Sequence, residues 1–238
     1  MKSDAELLAK LPFLDGLDPS LQHSLLSHAE VRSYPKGRIL FEEGGSPDCL
    51  FVLMRGMVEL FTGKGKKDIV VLILWPNDVF MPAAALYDEP YLLSGRTLAP
   101  SSALLMNARH VREQVSNCPE LAERVTRVMA GQFRMAVRHI KDLKLRNGPE
   151  RLGAFLYRLA TETGKNGYAD LPVAKAILAS RLGLSAESLS RGLQTLSEHG
   201  LTVRGSRVII TDRERLSKFC GPDPLIDGRE LSLSVSAI

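Results

Sequence analysis

The sequence predicts an α+β protein with three structural parts: an N-terminal jelly-roll β-barrel, a long helix and a C-terminal winged helix-turn-helix. Residues 33–106 break into short apolar or alternating runs separated by glycine, a pattern typical of a jelly roll. From Pro119 onward, apolar residues recur every three or four positions, as in a long packed helix. Residues 173–211 contain two short helical patterns that meet at Gly183, followed by two short strands.

The length of the chain and the breaks in its hydrophobic patterns divide the 238 residues into four predicted segments. We expect an effector-sensing barrel in residues 1–117, a dimerisation helix and hinge in 118–146, the winged helix-turn-helix in 147–220 and a tail in 221–238. The hinge coincides with Arg146-Asn-Gly-Pro149, which breaks the helical pattern. A chain of this length can bury two separate cores.

Charge and cysteine content narrow the class of protein. From Lys144 to Phe219 there are 13 Lys or Arg against 7 Asp or Glu, so this segment carries a net charge of +6. The rest of the chain carries −2, which gives +4 for the whole protein. A basic segment suits phosphate binding. The odd, widely spaced Cys49, Cys118 and Cys220 lack metal-site spacing, which indicates reduced structural thiols and no metal.

Hydropathy gives no sign of targeting to a membrane. Residues 1–10 lack the apolar core of a secretion signal, and no run of 18 apolar residues occurs. We therefore expect a cytoplasmic protein without a membrane partner.

Short elements are predicted around the barrel as well as in it. A helix should open at Asp18-Pro19, because Asp caps well and Pro suits the first turn. Strands are expected at 38–41, 49–53, 57–61 and 68–74, and a second short helix at 79–87.

The long helix carries two apolar seams rather than one. The first comprises Leu121, Val125, Val128, Gln132 and Met135, and the second comprises Met129, Phe133, Ala136, Ile140 and Leu143. Two seams imply burial on two sides, one against the barrel and one against a second copy in a parallel homodimer. The expected interface residues are Val125, Met129, Gln132, Phe133, Ala136, Ile140 and Leu143.

The second helix of the helix-turn-helix has the features of a DNA-reading helix. Ser185 can cap it, and Leu189, Leu193 and Leu196 share its apolar face. An arginine can pair with guanine and a glutamate with cytosine in the major groove. The candidate DNA-binding residues are Ser185, Glu187, Ser188, Ser190, Arg191, Gln194 and, in the wing, Arg207.

A simpler interpretation of Glu187 and Arg191 is an exposed ion pair four residues apart, which recognises nothing. The following segment favours DNA binding instead. Residues 202–211 form two short strands around Gly205-Ser206, with Arg204 and Arg207 at the tip of the resulting wing.

The order of barrel, long helix, hinge and winged helix-turn-helix resembles the Crp–Fnr family of bacterial transcription regulators. The resemblance extends from about Leu11 to Phe219, with its most specific motifs at 34–44, 53–60 and 187–191. In the Fnr-like branch, Glu, Ser and Arg read a TTGA-type half-site, and these correspond to Glu187, Ser190 and Arg191. The resemblance therefore implies a homodimer on a palindromic double-stranded DNA site, with RNA polymerase as a further partner.

The expected effector pocket departs from the family pattern. Cyclic-nucleotide binders hold the ribose with a Gly-Glu pair and the phosphate with an Arg beside Ser or Thr, whereas Met81-Pro82 and 92–94 stand at those positions here. Arg96-Thr97 could substitute only in a shifted register, so we do not expect cAMP binding. The predicted pocket residues are Phe80, Met81, Ala83, Tyr87, Tyr91, Leu93 and Arg96.

The sequence alone leaves the identity of the effector open. The apolar pocket suits haem, with His23 or His28 as conceivable axial ligands, another hydrophobic ligand, or no ligand. The cysteine cluster of iron–sulfur members is absent, which argues against such a cluster. Residues 79–98 and 222–228 are similar to a subgroup that includes activators of a ferrous-iron transport operon.

Two other classes of protein compete with an effector-controlled regulator. A jelly-roll metal enzyme would need a facial triad of histidines and a carboxylate, yet residues 33–106 contain no histidine. We therefore expect no enzyme. A constitutive DNA-binding regulator with a vestigial barrel stays open as the alternative.

Overall fold

The computed structural model describes residues 8, 10–63, 68–162 and 168–228. The last ten residues of the predicted tail lie outside these ranges. The chain forms two compact units, which divide within the long helix between Arg134 and Met135. The predicted segment boundaries are not tested by this division and stay predictions.

The first unit is built on two four-stranded sheets whose neighbouring strands are antiparallel. One sheet has the order β1-β8-β3-β6 and the other β2-β7-β4-β5, which confirms the jelly roll. The strands are β1 (Ala29–Tyr34), β2 (Ile39–Phe41), β3 (Cys49–Arg55), β4 (Val58–Thr62), β5 (Ile69–Leu74), β6 (Val79–Phe80), β7 (Ser94–Thr97) and β8 (Ser101–Asn107).

Within the described residues, four helices accompany this barrel: α1 (Pro19–Ser27), α2 (Pro82–Tyr87), α3 (Ala108–Asn117) and α4 (Pro119–Leu145). The cap predicted for α1 is confirmed, because the carboxylate of Asp18 accepts a hydrogen bond from the Ser20 backbone N–H at 2.8 Å. Leu121, Val125 and Val128 of α4 are buried in the same core as the barrel strands.

The helix predicted over 79–87 is wrong at its start. Val79 and Phe80 pair with Val52 and Phe51 as strand β6, and the helix begins only at Pro82. The residue before a proline is disfavoured in the helical region, so the helix cannot extend backward through Met81. Met81 instead adopts a left-handed conformation with φ 63°, at the position where the cyclic-nucleotide binders carry glycine.

The second unit continues from α4 through α5 (Gly148–Glu162), β9 (Tyr168–Asp170), α6 (Lys175–Arg181), α7 (Ala186–Glu198), β10 (Leu201–Arg204), β11 (Arg207–Ile210), α8 (Arg213–Cys220) and α9 (Pro224–Asp227). The helical pattern breaks between Leu145 and Gly148, and the hinge expected there stays a prediction. Asn147 and Glu150 cap α5 reciprocally, each side chain accepting the other's backbone N–H at 3.0 and 2.8 Å.

No helix in the described part of the chain is long and apolar enough to cross a membrane. Nor do the described residues contain a group of three or more His, Cys, Asp or Glu side chains arranged to hold a metal ion.

His139, in the last turns of α4, should make the second unit sensitive to acid. Burial lowers the pKa of His139 below its ordinary value, the charges of Arg181 and Arg151 lower it further, and Asp142 opposes them. The unfolded chain therefore binds a proton more readily than the folded one, and stability present above about pH 6.5 falls as the pH drops below it.

Urea unfolding of the wild type and of His139→Gln at pH 7.5 and 5.5 measures this effect. We expect the variant to lose part of the pH dependence that the wild type shows. Equal pH dependence in His139→Gln and the wild type would contradict the assignment.

Candidate nucleic-acid interface

The helix α7 begins where the sequence predicts. The Ser185 hydroxyl accepts the backbone N–H of Ser188 at 3.0 Å and donates to the Ser188 hydroxyl at 2.9 Å. Both hydroxyls therefore bond within the first turn, which fixes the N-terminal end of the helix. Just before it, Gly183 adopts φ 66° in the tight turn, and the Leu184 N–H bonds to the Ala179 carbonyl at 2.8 Å.

One face of α7 is exposed and polar. Glu187, Ser190, Arg191 and Gln194 are all exposed, and their spacing of three and four places them along one side of the helix. Among the described ion pairs, none joins Glu187 to Arg191, so the simpler interpretation of these residues as a helix-stabilising pair lacks support. Both charged groups can meet a ligand.

The opposite face of α7 packs unusually close to its neighbours. Leu189 and Leu196 are buried, and a Cβ added to Gly192 would lie 3.0 Å from Leu152 of α5. A Cβ on Gly153 would in turn lie 2.9 Å from Leu196. The two glycines let α5 and α7 approach closely, and this holds the exposed face of α7 on a rigid base.

The wing forms as predicted, with β10 and β11 paired around Gly205-Ser206 and Arg204 and Arg207 exposed. A third strand, β9, extends it by pairing with β11. The guanidinium of Arg207 lies 5.0 Å from the ring centroid of Tyr168 and 3.6 Å from a carboxylate oxygen of Asp170. Strand β9 was not predicted, because three residues are too few to show alternation.

Four buried aromatic side chains of the barrel form one cluster. Phe41, Phe51, Phe80 and Tyr91 are all at least 92% buried. Their ring centroids lie 4.6 Å apart for Phe41 and Tyr91, 5.0 Å for Phe51 and Phe80, and 5.1 Å for Phe41 and Phe51. Gly95 makes room for this cluster, since a Cβ there would lie 2.7 Å from the Phe41 ring.

The predicted pocket residues do not all join this cluster. Phe80 and Tyr91 belong to it, and Met81 and Leu93 are half-buried nearby in sequence. Ala83 and Tyr87 are exposed, Tyr87 by 75%. Phe41 and Phe51 were missed, although aromatic residues in two predicted strands of a small barrel are natural candidates for its interior.

Arg96 is engaged in ion pairs rather than poised for a phosphate. Its guanidinium lies 2.6 Å from Glu59 and 2.9 Å from Asp68, and stacks 4.5 Å from the Phe61 ring centroid. Burial favours the neutral form, but the hydrogen bonds and charges of Glu59 and Asp68 outweigh it and raise the pKa of Arg96. Leu93, which stands at the family's phosphate-clamp position, offers no charge. The expectation that cAMP does not bind stays a prediction.

Along α4 the predicted interface residues separate into two sets. Val125 is buried in the barrel core, Met129 packs partly against it, and Gln132 donates to the Val79 carbonyl at 3.0 Å. Phe133, Ala136, Ile140 and Leu143 are exposed, with Phe133 at 70% and Ile140 at 55%. Val137, at 39%, joins the same exposed seam.

Comparison with known proteins agrees with this architecture. Residues 31–118 match the family of the cyclic nucleotide-binding domain, and residues 150–219 match the Crp-like helix-turn-helix domain. Over 220 residues the chain is 26% identical to the "CRP-like cAMP-activated global transcriptional regulator" of Mycobacterium tuberculosis strain H37Rv, which covers 90% of this chain and 98% of the relative.

A second relative and one solved structure are also similar to this chain. The "Fumarate and nitrate reduction regulatory protein" of Escherichia coli K12 is 24% identical over 193 residues, 78% of this chain and 76% of the relative. The structure of a CooA mutant from Carboxydothermus hydrogenoformans, at 18% identity, shares the fold with a TM-score of 0.72 over 92% of this chain and 98% of that one.

A sensory barrel joined to a DNA-binding winged helix-turn-helix defines a transcription regulator rather than an enzyme. The chain belongs to the Crp–Fnr family of transcription regulators. The narrower resemblance to activators of ferrous-iron transport stays a prediction.

Proposed function

We propose that this chain is a homodimeric, sequence-specific regulator that binds a palindromic TTGA-type site and contacts RNA polymerase. In this proposal Glu187, Ser190 and Arg191 read base edges, and Ser185 and Ser188 hold the start of α7 in place. Gln194 extends the reading face, and Arg207 contacts the phosphate backbone from the wing. The observation that carries the proposal is the exposed polar face of α7 on a closely packed base.

The dimer is supported by the exposed seam of α4. Phe133, Val137, Ile140 and Leu143 follow the spacing of three and four that one helix needs to pack against a second copy of itself. Large apolar side chains exposed in such a row mark an interaction surface. Two copies related by a two-fold axis would present two α7 helices about one DNA turn apart.

Control by the barrel is the second part of the proposal. An effector would act by favouring one arrangement of the dimer helices over another, which requires different affinities for the two arrangements. Haem and other apolar ligands suit the character of the interior better than cAMP does, and an iron–sulfur cluster is not expected. A ligand placed among Phe41, Phe51, Phe80 and Tyr91 would have to displace one of these rings.

That packing favours a second candidate function, a regulator whose barrel needs no small ligand. Rings already in contact with each other gain little by exchanging partners. The absorption spectrum of the purified protein separates the two candidates. A Soret band would support a haem sensor, whereas a colourless protein whose DNA affinity ignores all candidate effectors would support constitutive binding.

Selection of bound DNA from random sequence, with and without cell extract, tests the central proposal. We expect enrichment of inverted TTGA-type repeats at one fixed spacing. Enrichment of unrelated sequences, or of single half-sites, would overturn the reading roles or the dimer. Enrichment only in the presence of extract would indicate an effector.

A further inference from the structure

The segment that follows the winged helix-turn-helix folds back onto the end of α4. We call residues 221–228 the C-terminal hook. Asp223 caps its short helix α9 by accepting the Leu225 N–H at 2.8 Å, and Ile226 is 93% buried. The hook lies beyond residues 150–219, the range that matches the Crp-like domain, so nothing in that domain accounts for it.

A buried arginine at the hinge holds the hook in place. Arg146 is only 8% exposed, and its guanidinium forms a fork with Asp227 at 2.7 and 2.5 Å. The same guanidinium donates to Asp142 at 3.0 Å and to the Gly221 carbonyl at 2.9 Å. Arg146 therefore joins the last turn of α4 to both ends of the hook.

The electrostatics favour Asp227 as the charged partner. Burial alone would raise the pKa of Asp227, but hydrogen bonds from Arg146 and the Asp223 N–H, with the guanidinium charge, lower it below the ordinary value. Burial raises the pKa of Asp142 despite the opposing effect of Arg146. The fork at 2.7 and 2.5 Å, against one bond of 3.0 Å to Asp142, makes Asp227 the more closely bound carboxylate.

The contacts continue from the hinge to the helix-turn-helix. The Arg146 carbonyl accepts from Arg151 at 2.7 Å, and Arg151 also donates to the Leu182 carbonyl at 3.1 Å. Leu182 directly precedes the Gly183 turn that leads into α7. A chain of hydrogen bonds thus runs from the hook through the hinge to the base of the recognition helix.

The hook also occupies a defined side of α4. Its neighbours Arg138, Lys141, Asp142 and Arg146 recur at the spacing of one helix face. Asp142 is two residues from Ile140, which places it about 200° around the helix from the exposed seam. The hook leaves that seam uncovered.

We propose that Asp227, acting through Arg146, is a positioning residue that fixes the angle at which the helix-turn-helix leaves α4. The proposal rests on the dimeric DNA-binding function proposed above. In a dimer, that angle sets the spacing between the two recognition helices. The hook therefore restricts the half-site spacing that the dimer accepts.

Asp227→Asn in the full-length protein tests this role by two measurements. Removing one partner of a buried pair should raise local opening at the hinge by about 100-fold, seen as faster amide exchange across residues 143–150. Exchange across 152–160, in the core of α5, should stay within about threefold of the wild type. The preference of the variant for the correctly spaced operator, over operators whose half-sites are moved by one or two base pairs, should then fall at least about fivefold.

A control and a second variant sharpen the test. Glu162→Gln removes an exposed acidic charge from the same unit and should behave as wild type. Arg146→Lys keeps a cation but loses the fork, so it should also relax the spacing preference, and it replaces Asp227→Asn if that variant fails to fold.

The outcomes are separable. Unchanged exchange at the hinge, equal loss of protection throughout the unit, or an unaltered spacing preference would overturn the role of the hook. A wild type without any preferred palindromic spacing would instead overturn the proposed function. The exchange measurement would still decide whether the hook holds the hinge.

Discussion

Arg191→Ala should abolish the preference for one base pair in each half-site while leaving the fold unchanged. Arg191 is exposed on α7 and lacks an ion pair with Glu187. Its removal therefore opens no cavity and leaves no buried charge without a partner. A bidentate contact from arginine to guanine contributes about 1–3 kcal/mol per half-site, roughly 5- to 150-fold in affinity. A dimer loses this twice.

Binding titrations against operators changed at each position in turn measure the effect. The wild type should discriminate at the position that Arg191 reads, and the variant should bind all four base pairs there equally. Arg204→Ala is the matched control, because Arg204 is an exposed wing residue and should weaken binding to every sequence alike. If Arg191→Ala behaved like Arg204→Ala, Arg191 would be a phosphate contact.

Ile140→Glu should convert the dimer into a monomer and remove high-affinity operator binding. Ile140 is 55% exposed in the single chain and lies in the middle of the α4 seam. A carboxylate there would face the same carboxylate of the second copy in an apolar contact, which costs several kcal/mol. We expect the dimer dissociation constant to rise at least about 100-fold.

Analytical ultracentrifugation and operator titration check this prediction together. Leu92→Glu is the matched control, since Leu92 is 85% exposed and lies away from α4 in sequence. It should remain dimeric and bind DNA normally. A dimeric Ile140→Glu variant would show that the seam of α4 is not the dimer interface. The spacing between half-sites would then be set by a different interface.

Local signals explain which features were predictable. Asp18, Ser185 and Gly183 act through bonds to residues two to four positions away, so the sequence alone indicates the caps and the turn. The same holds for the two seams of α4, which are a matter of spacing. The predicted start of the helix at Val79 was wrong, because an apolar run suggested a helix whereas Pro82 disfavours helical backbone at Met81.

Contacts between distant residues were not predictable in this way. Arg146 and Asp227 are 81 positions apart, and the aromatic cluster draws one ring from each of four separate segments. Nothing in the spacing of these residues indicates that they meet. Distant contacts also removed a candidate. In the sequence Arg96 is available to a ligand, but the fold places Glu59 and Asp68 beside it and they pair with its guanidinium.

The proposed reading face of α7 would affect how the protein searches DNA. Glu187 and Arg191 carry opposite charges, so this face adds nothing to the net attraction for phosphates, and Arg204 and Arg207 lie outside it. Counterion release, which governs sliding and residence on arbitrary DNA, would therefore depend on the wing and not on the base-reading residues. Rising ionic strength would shorten the time spent on every sequence by a similar factor. Selectivity between operator and bulk genome would change far less than affinity.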